Sequence, residues 1–394
     1  MGSCGLYVHV PFCAAKCGYC DFLSVVPGGG AAMTGLIARV IEELRSRVSE
    51  SRRRADTIYV GGGTPTVLGE GDLGNLLRTA AGAADARLRE FSVEANPESL
   101  TASKVAILAR HGVNRVSLGA QSFQDRELRI LGRIHQAAAT AGAVEIIRRN
   151  GIQRVSLDLL FGIPGQTPAS WRDSLSRAVD LGVDHVSCYG LTYEPGTRLA
   201  ELMDGGTVTP CDERLEAQMY LQAIDQLSAA GFEHYEISNF AREGGRCEHN
   251  MLYWQGKPYI GVGPSAAGYL DGRRYRNVAD ITEYIRSVDG AGRAEAESET
   301  LAGTALAGEM TMLGLRLIEG LDPSALRRRC GVDIVAACTE TLRRFAEQGL
   351  LQVSPDRIAL TRQGLLVADT ITAELLAALD GPLPSSIDRH RAAR

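Results

Sequence analysis

"LYVHVPFCAAKCGYCDF", residues 6–22, sets the frame for this chain. Its opening residues are β-branched and aromatic, which predicts a strand over 6–10. That strand runs into Cys13, Cys17 and Cys20, a C-x3-C-x2-C spacing with three thiols in eight positions. Cysteine zinc sites usually combine two separated knuckles into four ligands, and no second knuckle follows downstream. Three thiolates suit three corners of a cubane [4Fe–4S] cluster, which is normally held by four. The fourth iron is then open to a ligand that is not protein. The competing readings are a zinc site completed by Cys4 or His9, and three unligated buried cysteines.

Further strand-like runs recur at 57–62, 90–95, 115–120, 154–160, 185–191 and 235–238, separated by amphipathic stretches such as "MTGLIARVIEELRSRVSE" and "TASKVAILARHG". Thr101 and the pair Thr167-Pro168 read as helix starts, and glycines such as Gly151 as helix stops. Strand then helix, repeated about six times, implies parallel strands with right-handed crossovers. An open doubly wound sheet and a full or partial (β/α) barrel both fit, and in both the function gathers at the C-terminal ends of the strands. The unusual residues fall there: the cysteines, then "GGGTP" (61–65), Glu94, Gln121 and Asp158.

After about residue 280 the pattern changes. "AGRAEAESET" (291–300) reads as a charged, solvated connector. Three helices, a hairpin turning at Ser354-Pro355-Asp356 and a last helix then predict a small α+β winged-helix-like domain. The expected divisions are a core over 1–245, a barrel-closing segment over 246–290, the C-terminal domain over 291–380 and a frayed tail over 381–394. A winged shape invites a nucleic-acid reading, but a net charge of −5 over 394 residues gives phosphate no electrostatic attraction. No apolar run reaches the about 18 residues that span a bilayer, and the N-terminus lacks a signal-peptide pattern. Nine cysteines, odd in number and mostly scattered, suit a reducing compartment, so the expected location is cytoplasmic.

The cysteine loop resembles that of the radical S-adenosylmethionine (SAM) superfamily, in which SAM's amino and carboxylate groups chelate the open iron and one electron from the cluster cleaves SAM. The resemblance implies a full or partial (β/α) barrel, which chooses between the two architectures. It narrows over "IYVGGGTPT", "VEANPESL", "GVNRVSLGAQSFQDRELRILGRIH" and "SLDLLFGIPGQT", which are similar, in order, to blocks of the family of oxygen-independent coproporphyrinogen oxidase and HemW. Carried over, Tyr7 is implied to lie against SAM, and Gly62, Gly63, Thr64 and Glu94 to hold it. Gln121, Arg133 and Asp158 correspond to polar positions lining the same cavity.

Two features separate the branches of that family. The oxidase resembles CxxxCxxCxC, and here Phe22 stands at the last cysteine's place. "RCEHNMLYWQG" (246–256) is similar to the HNxxYW motif of the HemW branch, regarded as heme chaperones that supply respiratory hemoproteins of the membrane. His249 is then the expected heme ligand, with Cys247 a second candidate, since imidazole and thiolate are both axial ligands of heme. Tyr253 and Trp254 offer flat surface to a porphyrin, whereas the bland reading is an aromatic core cluster with a hydrogen-bonded histidine. "YIGVGPSAAGYL" (259–270) reads as a glycine-rich loop close to the site. The resemblance thus implies a [4Fe–4S] protein that uses SAM and carries heme to an acceptor hemoprotein, a carrier more than an enzyme. The alternatives are an oxidase of porphyrin biosynthesis and a HemN-like radical SAM methyltransferase.

Overall fold

Six β-rich runs pair in chain order as parallel strands: β1 (Gly5–Val10), β2 (Thr57–Gly62), β3 (Glu90–Ala95), β4 (Arg115–Gln121), β5 (Arg154–Phe161) and β6 (His185–Gly190). The computed structural model describes residues 4–379. Strand side chains alternate between two faces. One set, including Leu6, Val8, Ile58, Val60, Val116 and Leu157, meets Leu36, Leu44, Leu76 and Trp171 of the surrounding helices in a single core. Each such leucine contributes about 1.5–3 kcal/mol by leaving water. The other set, including Tyr7, Tyr59, Glu94, Ser117, Asp158 and Ser187, lines a central cavity. The barrel is partial, because β1 and β6 do not pair with each other and the sheet continues outward from both.

Helix boundaries follow local chemistry. Thr101 Oγ1 accepts from the Lys104 N–H at 3.2 Å, and Thr167 Oγ1 from the Ser170 N–H at 3.1 Å, with Pro168 in the first turn. Gly151, just past a helix end, takes φ 87°, a left-handed conformation that costs glycine little.

Three departures from the sequence reading extend the sheet. The run at 235–238 is not a seventh parallel strand. It straddles β7 (Glu233–Glu236) and the turn into β8 (Asn239–Ala241), an antiparallel hairpin added to β6. Two residues between those strands leave no room for a crossover. The stretch read as a glycine loop holds β9 (Tyr259–Val262), parallel to β1, and β10 (Ala267–Leu270). Its glycines are demanded by close packing: a Cβ on Gly261 would lie 1.8 Å from the Ala267 carbonyl oxygen. β11 (Arg273–Asn277) follows, and β12 (Glu295–Thr300), within the segment read as a solvated connector, pairs with it at the sheet edge.

The C-terminal domain places helices Gly303–Gly314, Pro323–Cys330, Ile334–Ala337, Thr339–Glu347 and Ala368–Ala378 around its own core of Leu326, Leu342, Phe345, Ile358 and Leu375. The stretch "IVAACTETLRRFAEQG" (334–349), read as one of the three helices, is broken at Cys338. The wing is the hairpin β13 (Leu351–Ser354) and β14 (Arg357–Leu360). Arg316 joins the domain to the barrel through a 3.3 Å ion pair with buried Glu236. The tail expected over 381–394 lies outside the described residues.

Candidate functional site

Cys13, Cys17 and Cys20 are all partly exposed, in no disulfide, and all line the cavity of about 350 Å³ at the end of β1. Backbone bonds hold their loop from several directions: Cys13 N–H to the Val25 carbonyl (3.1 Å), Gly18 N–H to Leu131 (2.9 Å) and Leu199 N–H to Gly18 (2.7 Å). Arg133 Nη1 donates to Cys17 Sγ at 3.3 Å. Burial pushes the Cys13 thiol up, while the Thr64 hydroxyl beside it pulls the other way. Among the described residues no three His, Cys, Asp or Glu side chains are gathered for a single metal ion. A cubane instead takes each thiolate on a separate iron, so three accessible thiols in no disulfide on one pinned loop fit the cluster. Zinc completion fits poorly. Cys4 is buried at the far end of β1, its thiol pushed up to about 11 by burial. The His9 ring is engaged by the Tyr7 hydroxyl (2.9 Å) and the Leu23 carbonyl (3.0 Å).

The glycine run beside the cysteines is packed on three sides. A Cβ on Gly61 would lie 2.6 Å from the Glu94 carboxyl carbon, on Gly62 2.4 Å from the His9 ring, and on Gly63 2.5 Å from the Phe12 carbonyl oxygen. Gly62 also takes φ 110°. Glu94 accepts from the Gly62 N–H (2.9 Å) and the Tyr59 hydroxyl (2.8 Å). Thr64 Oγ1 accepts from Asn96 Nδ2 at 2.8 Å and sits 3.6 Å from Cys13 Sγ. Arg133 also donates to Asn96 Oδ1 (2.6 Å) and the Gly119 carbonyl (2.9 Å). Gln121, at a bulge in β4, has φ 63°, rare outside glycine. Asp158 accepts from Ser117 Oγ at 3.2 Å, and burial raises its carboxyl above the usual range. Tyr7, Gly62, Gly63, Thr64, Glu94, Gln121, Arg133 and Asp158 thus all border the cavity that the three cysteines border.

The other end of the cavity is built by the short helix Glu248–Trp254. Buried Glu90, at the start of β3, anchors it by accepting from the Cys247 thiol (3.3 Å) and the Glu248 N–H (2.7 Å). Cys247 and His249 are fully buried and do not line the cavity. The His249 ring stacks on Tyr59 at 5.4 Å, with Nδ1 2.8 Å from Thr57 Oγ1 and Nε2 2.8 Å from the Tyr253 hydroxyl. Burial pushes the Cys247 thiol well up, against the nearby Arg115 charge. Asn250, Tyr253 and Trp254 do line the cavity, together with Met312 and Leu313 of the C-terminal domain. Among the described residues, the buried Trp254 indole N–H has no hydrogen-bond partner.

A family model described as the radical SAM superfamily matches residues 7–178, and one described as the HemN C-terminal domain matches 301–367. Heme chaperone HemW of Mycobacterium tuberculosis is 38% identical, with 94% of each chain covered. Heme chaperone HemW of Bacillus subtilis is 34% identical, covering 95% of this chain and 99% of that protein. The chain belongs to the HemW family of radical SAM proteins. In fold it is similar to the coproporphyrinogen III oxidase HemN of Escherichia coli, with a TM-score of 0.82 at 22% identity over 96% of this chain and 90% of that one.

Membership of the radical SAM superfamily implies a [4Fe–4S] cluster and SAM; a cluster held by Cys13, Cys17 and Cys20 would supply one-electron chemistry beside the SAM. In this HemW-family chain the residues around them have separable tasks. The loop backbone fixes the spacing of the thiols, Arg133 puts positive charge beside one of them, and Glu94 holds the glycine turn open. No helix among the described residues is long and apolar enough to cross a membrane. Sequence reasoning passed over Tyr59, Arg115 and His185, which also line the cavity. The signal was present: Arg115 shares strand parity with Gln121.

Proposed function

We propose that this chain binds heme in the cavity and delivers it to an acceptor hemoprotein, with membrane-bound respiratory proteins as the recipients and the cytoplasm as the place of action. One observation carries the reading: a single cavity joins the cysteine loop to Asn250, Tyr253 and Trp254 of the HNxxYW helix and to Met312 and Leu313. A porphyrin is a flat apolar ring, and aromatic faces with an aliphatic wall supply contact area for it. Phe22, where the oxidase pattern carries a cysteine, argues against decarboxylation.

His249 is the proposed iron ligand. With its proton on Nδ1, Thr57 accepts and orients the ring, as a supporting acceptor does for a metal-bound histidine. Nε2 then accepts from Tyr253, which lines the cavity, so displacing that hydroxyl opens the nitrogen to iron. Cys247 is the weaker candidate, because its thiol resists ionisation.

The test is hemin titration of anaerobically reconstituted protein, followed by mixing with an apo-hemoprotein. The expected result is a saturable Soret band, altered in His249→Ala, and transfer to the acceptor. Absence of saturable binding sinks the chaperone reading. Conversion of coproporphyrinogen to protoporphyrinogen under reducing conditions restores the oxidase.

A further inference from the structure

Most of the charged and titratable groups around the barrel floor are engaged by protein partners, and Arg115 stands apart from them. Glu90 accepts from Ser92, Cys247 and the first helical N–H groups. His185 meets Ser156 Oγ at 2.7 Å and the Tyr235 hydroxyl at 2.8 Å. Tyr59 donates to Glu94. Arg115 is 2% exposed and lines the cavity. Among the described residues its guanidinium has no hydrogen bond and no carboxylate within ion-pair distance.

Its placement explains why nothing nearby fills the vacancy. Tyr59, Ser92 and Arg115 are in register across β2, β3 and β4, so the guanidinium shares a row with the tyrosine that backs His249. Glu90 acts on Arg115 through its charge without reaching ion-pair distance, and its oxygens are committed to the helix Glu248–Trp254. A permanently charged guanidinium withdrawn from water with no carboxylate in direct contact is costly, and its planar fork of donors matches a carboxylate.

We propose that Arg115 receives a carboxylate of the cavity's ligand, and that this carboxylate is a porphyrin propionate; the assignment rests on the heme reading above. An apolar ring with an acidic edge satisfies Tyr253 and Trp254 along one wall and Arg115 on the floor. SAM also carries a carboxylate, but Arg115 starts β4, six residues before Gln121 at the end that meets the cysteine loop.

The test compares hemin, hemin dimethyl ester and SAM on the wild type, Arg115→Gln and Arg115→Lys. The wild type is expected to bind the free acid about tenfold or more tightly than the diester. Arg115→Gln should bring hemin down to the affinity of the diester without changing the diester, and Arg115→Lys should fall between. The acid–ester comparison on the wild type needs no variant, so a folding defect in Arg115→Gln does not blunt it. Equal affinity for acid and diester overturns the assignment alone. Weakened SAM binding with unchanged hemin binding moves the carboxylate to SAM and also overturns it. No saturable hemin binding by the wild type overturns the heme reading, and this assignment with it.

Discussion

The two ends of the barrel are built from the same strands and treat their polar groups in opposite ways. At the mouth, Cys13, Cys17 and Cys20 are partly exposed on a loop pinned by its backbone. At the floor, Glu90, Cys247 and His249 are fully buried and bonded to protein. Backbone pinning leaves side chains available for a cofactor, whereas buried side chains must find partners or cost stability. The mouth is therefore where function is lost without unfolding, and the floor is where stability is lost first.

The strongest test of that contrast is at the mouth. Replacing Cys13, Cys17 or Cys20 with Ala should abolish the iron–sulfur absorption and bound iron, yet move the stability of cofactor-free protein by less than about 1 kcal/mol. Unfolding of the cofactor-free variants would remove the distinction.

At the floor, Glu90→Ala should cost about 3–5 kcal/mol in urea unfolding, since it strips the anchor from Cys247 and the helix Glu248–Trp254. A cost under about 1 kcal/mol would show that the floor is not held as the geometry implies.

Acid should reach the buried side before it reaches the mouth. Burial lowers His185 well below the usual histidine range, with Arg115 adding to the effect, and lowers His234 to about 4. Each is neutral when folded and takes up a proton more readily when unfolded. Their contribution is therefore intact above the unfolded value of about 6.5 and is lost as pH falls toward 4. For His234 the loss approaches about 3 kcal/mol, read from urea midpoints between pH 7 and pH 4. His234→Phe should flatten part of that slope.

The smallest effect belongs to the helix itself. Tyr253→Phe removes the hydroxyl from His249 Nε2 and should cost about 1 kcal/mol. On the proposed ligation it should also tighten hemin binding, because the competitor for that nitrogen is gone. Weaker hemin binding would make the hydroxyl part of the heme site instead.

Legibility followed the range of the forces involved. The six parallel strands, the helix starts at Thr101 and Thr167 and the C-terminal hairpin rest on neighbours a few residues apart, and all were readable. β9 and β10 were hidden because Gly261 and Gly268, which mark a loop in sequence, answer to Ala267 and Tyr275 packed against them. The charged edge strand β12 was hidden because an edge facing solvent needs little hydrophobic pattern.

The sequence by itself determined the cysteine spacing, the succession of the six parallel strands and the family, since each is written in local pattern. Only the tertiary structure decided how the cavity's polar groups are spent. It bonded the His249 ring between Thr57 and Tyr253, and among the described residues it left the Arg115 guanidinium with no hydrogen bond and no carboxylate within ion-pair distance. Hydrogen-bond satisfaction depends on which distant side chains converge, and His249 and Thr57 are 192 positions apart.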